Sequence, residues 1–143
     1  MTPREIELVQ RTFARAARIG PHVAATFYAE LFAIDPAVRR LFKADMIAQG
    51  EKLMATLAHI VGGLGAEGAN LPLLRELALR HVSYGVESRH YTAVGTALMR
   101  TLKHELGADF TAEARAAWTA AYQQIADVMR EAAYGTEAAA RQA

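Results

Sequence analysis

Residues 71–86 read Leu71-Pro72-Leu73-Leu74-Arg75-Glu76-Leu77-Ala78-Leu79-Arg80-His81-Val82-Ser83-Tyr84-Gly85-Val86. Leu74, Leu77, Ala78 and His81 recur at spacings of three and four, so they fall nearly in line on one face of a helix. The pattern stops at Tyr84-Gly85, where glycine ends the helix. A strand would alternate apolar and polar residues, and this run does not. The reading therefore leaves a histidine near the end of an apolar helical stripe.

The same period extends in both directions. Thr2-Pro3-Arg4-Glu5 supplies a cap hydroxyl, a first-turn proline and a glutamate for a capping box, and it opens a helix to about Ile19. Gly20-Pro21 breaks that helix and starts another, in which Val23, Phe27 and Leu31 keep the helical spacing. Asp35-Pro36 reads as a cap and first-turn proline for a short third helix through Arg39 and Arg40. Asp45 caps a long helix with Gln49, Leu53, Leu57, Ile60 and Leu64 close to one face. Gly62-Gly63 and the stretch Gly65 to Asn70 end it in a loose connection. After the 71–84 run, two long helices are expected, roughly Tyr91 to Glu105 and Thr111 to Tyr134, separated by Gly107-Ala108-Asp109. No stretch alternates as a half-buried strand should. The expected fold is all-α, with about seven helices and no internal repeat.

Composition narrows the function. The 143 residues make one domain, and 16 Lys and Arg interleave with 15 Asp and Glu for a net charge of +1. No basic stripe exists to neutralise a phosphate backbone, so nucleic acid is not an expected partner. No charge-free apolar run is long enough for a membrane span, and the polar start MTPREIELVQ is unlike a signal peptide, so a cytoplasmic protein without membrane insertion is expected. Cysteine is absent. That removes disulfides, thiolate nucleophiles, iron–sulfur clusters, Cys-bound zinc and covalently attached haem in one step.

Chemistry then falls to the five histidines, His22, His59, His81, His90 and His104. None is paired with another at three or four residues and no HExxH occurs, which gives little support to a protein-only zinc site. A lone histidine on an apolar face is more often a core residue than a ligand. What changes the reading of His81 is the company it keeps in order and spacing: Phe27-Tyr28, Pro36, Phe42, Gln49, Leu53, His81, Tyr84-Gly85-Val86 and His90-Tyr91. The segments TFYAELFAIDPAVRRLF (26–42), QGEKLM (49–54), RHVSYGV (80–86) and HYTAVG (90–95) carry the pattern, and the Trp118, Tyr122, Ile125-Ala126-Asp127-Val128 run extends it.

With these residues the chain resembles the globin family, and most of all single-domain bacterial haemoglobins and the haem domain of flavohaemoglobins. The resemblance implies a globin fold over residues 1–135, with the polar 136–143 (TEAAARQA) as a tail, packed around one haem b. It implies that His81 is the proximal iron ligand and that Phe42 lies against the haem face. Gln49 and Leu53 would look onto the ligand side, under a distal hydroxyl from Tyr28. Leu77 and Val86 would be apolar contacts of the cofactor, and Lys52 would either pair with a haem propionate or be a solvated surface charge. Tyr91, ten residues after His81, would join a proximal hydrogen-bond network that in flavohaemoglobins includes a glutamate of the last helix. Counted from Trp118 that position is Ala133, and Glu131 is two residues early and turned by about 200°. Whether Glu131 can serve is left open by the sequence. The other four histidines read as surface or boundary residues, and Trp118 and Tyr122 as core.

The function so implied is reversible dioxygen binding by ferrous haem, with carbon monoxide and nitric oxide as further ligands. A Tyr and Gln together imply tight oxygen binding. A second reading is enzymatic, as a nitric oxide dioxygenase. No glycine-rich dinucleotide fingerprint occurs, so its reductase would be a separate protein. A third is a haem-based gas sensor, and a fourth is a haem-free helical interaction domain.

Overall fold

A computed structural model describes residues 1–43, 45–66 and 70–142, with the side chains of 136–142 left aside. Among the described residues every regular element is helical. α1 spans Pro3–Ile19, α2 Pro21–Ile34, α3 Met46–Gly62, α4 Leu71–Ser83, α5 Ser88–Leu106 and α6 Ala112–Gln142. Two 3₁₀ helices, Pro36–Leu41 and Gly107–Asp109, fill connections. No helix among the described residues is long and apolar enough to cross a membrane, and none groups three or more His, Asp or Glu as a metal site.

Local chemistry explains most boundaries. The Thr2 hydroxyl accepts from the Glu5 amide at 3.1 Å while the Glu5 carboxylate accepts from the Thr2 amide at 2.8 Å, satisfying two donors that a helix start leaves orphaned. Gly20 turns the chain from α1 into α2 at φ 78°, a conformation that costs glycine little. Asp45 caps α3 by accepting from the Ile47 amide at 3.0 Å.

Five expectations change. The short third helix is a 3₁₀ helix, and Asp35 makes no side-chain cap at its start. Its carboxylate instead pairs with Arg89 at 3.0 Å, an interaction 54 residues away that local sequence does not announce. α5 begins at Ser88 rather than Tyr91, because the His90 ring accepts from the Glu87 amide at 2.8 Å and supplies the missing cap. His90 is accordingly buried, not a surface residue. His22, His59 and His104 are exposed as expected. α6 continues past Tyr134 to Gln142, with one non-helical residue at Gly135. The side chains of the proposed tail, and residues 67–69 of the connection before α4, lie outside the described residues.

The core forms two connected layers. One joins α1, α2, α5 and the first half of α6 through Val9, Phe13, Phe27, Leu31, Leu102 and Trp118. Within it the Trp118 indole N–H donates to Thr12 Oγ1 at 2.8 Å, and that hydroxyl donates to the Leu8 carbonyl at 2.6 Å. The buried polar atoms are thus satisfied in series. The other layer packs α4 against α5 and α6 through Leu74, Ala78, Tyr91, Ala126 and Met129. Leu53 and Leu57 of α3 pack against the first layer while Ile60 joins the second.

Two glycines set helix spacing. A Cβ on Gly50 would sit 3.0 Å from Ala24 Cβ, so α3 approaches α2 closely one residue past Gln49. A Cβ on Gly95 would sit 2.7 Å from the Tyr122 ring, whose hydroxyl donates to the Tyr91 carbonyl. In an open helix Gly→Ala gains about 1 kcal/mol of propensity, whereas overpacking costs about 1–3 kcal/mol. Gly95→Ala is therefore expected to destabilise the fold, read as a lower urea midpoint at unchanged slope. A raised midpoint would show that Tyr122 moves aside freely.

Candidate functional site

His81 lies in the last turn of α4, half-buried, on the helix that packs against α6. Its Nδ1 is 2.6 Å from the Leu77 carbonyl, one turn back. A carbonyl can only accept, so Nδ1 carries the proton and Nε2 is left with a free lone pair. The carbonyl of His81 accepts from the Val86 amide at 3.0 Å, and Val86's own carbonyl accepts from the Tyr134 hydroxyl at 2.9 Å. The turn after α4 is thereby tied to both the histidine and α6. Leu77 and Val86 are half-buried in the layer beneath. An imidazole that is to ligate a metal needs one nitrogen oriented by an acceptor and the other available, and the Leu77 carbonyl meets the first condition.

A second cluster gathers at the junction of α2, the Pro36–Leu41 helix and α3. Tyr28 is buried, with ring centroids of Phe27 and Phe42 each 5.2 Å away edge-on and that of Phe32 stacked at 6.0 Å. Phe32 and Phe42 meet each other at 5.6 Å, and the Arg39 guanidinium lies 5.3 Å above the Phe32 ring. Burial pushes the Tyr28 phenol above its ordinary pKa, and hydrogen bonding with the half-buried Gln49 side chain partly offsets the rise. Tyr28 thus keeps its proton and remains a donor at neutral pH. Leu53, one turn after Gln49, packs into the same layer. An open groove of about 550 Å³ borders Phe42, lined also by Pro36, Arg39, Arg40 and Met46.

Of the residues singled out in the sequence, Tyr28, Phe42, Gln49 and Leu53 fall in or beside this cluster, and Leu77 and Val86 beside His81. Lys52 is exposed. Tyr91 is buried, but Glu131 is exposed, and the polar α6 groups around Tyr91 are Tyr122, which donates to its carbonyl, Arg130 and Tyr134. Phe32, Arg39 and Arg130 were not anticipated. Phe32 carried a signal, since it stands four residues after Tyr28 and shares its helical face.

Burial raises the Tyr91 phenol to about 12, with Tyr134 adding to the shift and Arg130 opposing it. A proton held more tightly in the folded chain gives stability that is complete below the ordinary tyrosine range near pH 10 and lost as pH climbs toward 12. Tyr91→Phe is expected to flatten the alkaline fall of the melting temperature between these limits. An unchanged fall would assign it to other groups.

Comparisons with known proteins bear on the family and the fold. The Globin family model matches residues 25–129. The Flavohemoprotein of Bordetella parapertussis is 32% identical over 99% of this chain and 36% of that protein, and that of Pseudomonas aeruginosa is 34% identical over 95% of this chain and 36% of that protein. The chain spans about a third of the length of these curated relatives. A solved structure of an engineered carbene transferase, derived from a nitric oxide dioxygenase candidate of Rhodothermus marinus, superposes with a TM-score of 0.85 at 25% identity, covering 99% of both chains. The matched family model, the relatives and the shared all-helical fold establish that this chain belongs to the globin family.

Proposed function

We propose that this globin reversibly binds dioxygen through a haem b held by His81, with Tyr28 and Gln49 on the side that receives the gas. The observation that carries the reading is the bond from His81 Nδ1 to the Leu77 carbonyl. It fixes the tautomer whose free Nε2 can donate to iron, and it raises the basicity of that nitrogen. The remaining residues fit a large flat apolar group: Phe42, Leu53, Leu77 and Val86 offer aromatic and aliphatic faces. Arg39 and Arg40, lining the groove beside Phe42, offer positive charge to carboxylates at a rim, as does the exposed Lys52. When bound, ferrous haem supplies the open coordination position that dioxygen, carbon monoxide or nitric oxide takes.

The chain's own contribution on the gas side is hydrogen bonding in a dry setting. Tyr28 is protonated, enclosed by three phenylalanines, and engaged with the Gln49 side chain. Its O–H is therefore a preorganised donor for a ligand that gains negative charge on binding, and such a donor slows escape. Gln49 lies near the phenol and carries amide donors of its own. Leu53 limits the room beside them.

A second reading is nitric oxide dioxygenation, favoured by the Flavohemoprotein relatives and by the structural neighbour from a nitric oxide dioxygenase candidate. That turnover converts nitric oxide and dioxygen to nitrate and consumes one electron each time. The electron would come from a reductase. Steady nitric oxide consumption sustained by an added reductase would support this reading; consumption that stops after one equivalent leaves oxygen binding.

Tyr28→Phe keeps the ring and removes the donor. Loss of one hydrogen bond to a partly charged ligand is expected to speed oxygen dissociation roughly tenfold or more, measured by stopped-flow replacement with carbon monoxide. An unchanged rate would place the hydroxyl outside the site and overturn the role given to it.

A further inference from the structure

Asp35 stands where α2 ends and the Pro36–Leu41 helix begins, and Arg89 stands in the first turn of α5. Their side chains meet at 3.0 Å. α2 carries Tyr28, and the Pro36–Leu41 helix leads directly into Phe42. Arg89 follows Val86 by three residues, and the Val86 amide donates to the His81 carbonyl. One ion pair therefore joins the segment that places the aromatic cluster to the segment that holds the histidine turn.

A second contact closes the same seam. A Cβ on Gly85 would stand 3.3 Å from Leu41 Cδ2, so the turn after His81 lies against the end of the 3₁₀ helix, one residue before Phe42. Asp35 and Leu41 mark the two ends of that helix, and the seam is fastened at both. Gly85 holds φ +92°, a conformation that a side chain would strain.

The pair differs from the other arginine–carboxylate bridges. The Asp35 side chain is 18% exposed, whereas the other carboxylates paired with arginine among the described residues are 35% to 65% exposed. A bridge between two solvated groups adds little, because water and salt screen it. A shielded carboxylate that loses its cation keeps a charge that water reaches poorly, so breaking this bridge costs more. Both partners are also held in place. Glu87 accepts from Arg89 Nε at 3.2 Å while Nη1 serves Asp35. The buried His90 ring accepts the Glu87 amide at Nδ1, which leaves its proton on Nε2, 3.9 Å from the same Asp35 oxygen. At that distance it is an electrostatic contact, not a hydrogen bond.

We infer that Asp35 and Arg89 form a clasp across the seam between the two walls of the proposed haem site, and that this clasp sets how long haem stays bound. The inference rests on the haem reading of His81 and goes beyond it. Asp35 and Arg89 are positioning residues, acting through the placement of Phe42 and His81 and not on the gas. A flat group held between two walls leaves when the walls part, and parting them at this seam separates Arg89 from a carboxylate that has no other arginine.

The test is the rate at which the haem-loaded ferric protein gives up haem to excess apomyoglobin, followed through the Soret band. The parent rate is expected to rise with potassium chloride, because the arginine end of the clasp is open to screening. Arg89→Gln should release haem roughly tenfold faster and lose most of the salt dependence. Asp35→Asn should act similarly, and the combined variant should be no faster than either alone, since each removes the same contact. Arg89→Lys keeps the charge and should fall between parent and Arg89→Gln. Arg100→Gln is the control: it breaks the 3.7 Å bridge to Glu30 between the same two helices, away from the seam, and should leave the rate unchanged. An unchanged rate in Arg89→Gln, equal acceleration by Arg100→Gln, or single-variant effects that multiply in the combined variant would overturn the clasp. A parent protein that takes up no haem overturns the functional reading and the clasp with it; normal uptake with unaltered release in the variants overturns the clasp alone.

Discussion

The site depends on one hydrogen bond, from His81 Nδ1 to the carbonyl of Leu77. An imidazole free to choose its tautomer presents a lone pair at either nitrogen and turns about two bonds. Spending Nδ1–H on an acceptor of the same helix leaves one nitrogen, in one orientation, to meet a metal. The rest of the fold holds that acceptor still. α4 rests on α6, and the turn beyond His81 is tied down through Val86, which donates to His81 and accepts from Tyr134. No carboxylate of the described residues completes a proximal network through Tyr91; the nearest α6 charge there is the cation Arg130.

The opposite half of the site is built by helix approach rather than by any single bond. Gly50 lets α3 lie close against Ala24 of α2, and Gln49 and Tyr28 stand next to that contact. A larger residue at position 50 would separate the two side chains that are asked to act together. The aromatic ring set of Phe27, Phe32 and Phe42 keeps the phenol away from water, which is why its proton is retained and its dipole is worth more than in solvent. The proposed gas binding uses that dryness.

How much of this was legible follows from the range of each interaction. His81 was readable because its helix is regular, its stripe is local, and Tyr84-Gly85 ends it. The Thr2 and Asp45 caps were readable for the same reason, each acting within three residues. Asp35 was misread because its partner Arg89 is 54 residues away, and local rules assign a free aspartate before proline to a cap. His90 looked like a boundary residue because a ring that caps its own helix start has no sequence signature as clear as Ser, Thr or Asp. Arg130 carries no local signal, because its place over the Tyr91 ring is visible only once α5 and α6 are packed. The pairing of Tyr28 with Gln49 came from resemblance, and its physical basis, the glycine beside Gln49, emerges from the helix crossing.

The central claim is that His81 holds iron through Nε2. The most direct measurement is the absorption spectrum of the protein supplied with haem, reduced and exposed to carbon monoxide, beside that of His81→Gly with and without added imidazole. The account predicts a carbonyl Soret band in the parent protein, its loss or displacement in His81→Gly, and its return when imidazole fills the vacated place. An unaltered band in His81→Gly without imidazole, or no haem spectrum in the parent protein, would contradict it.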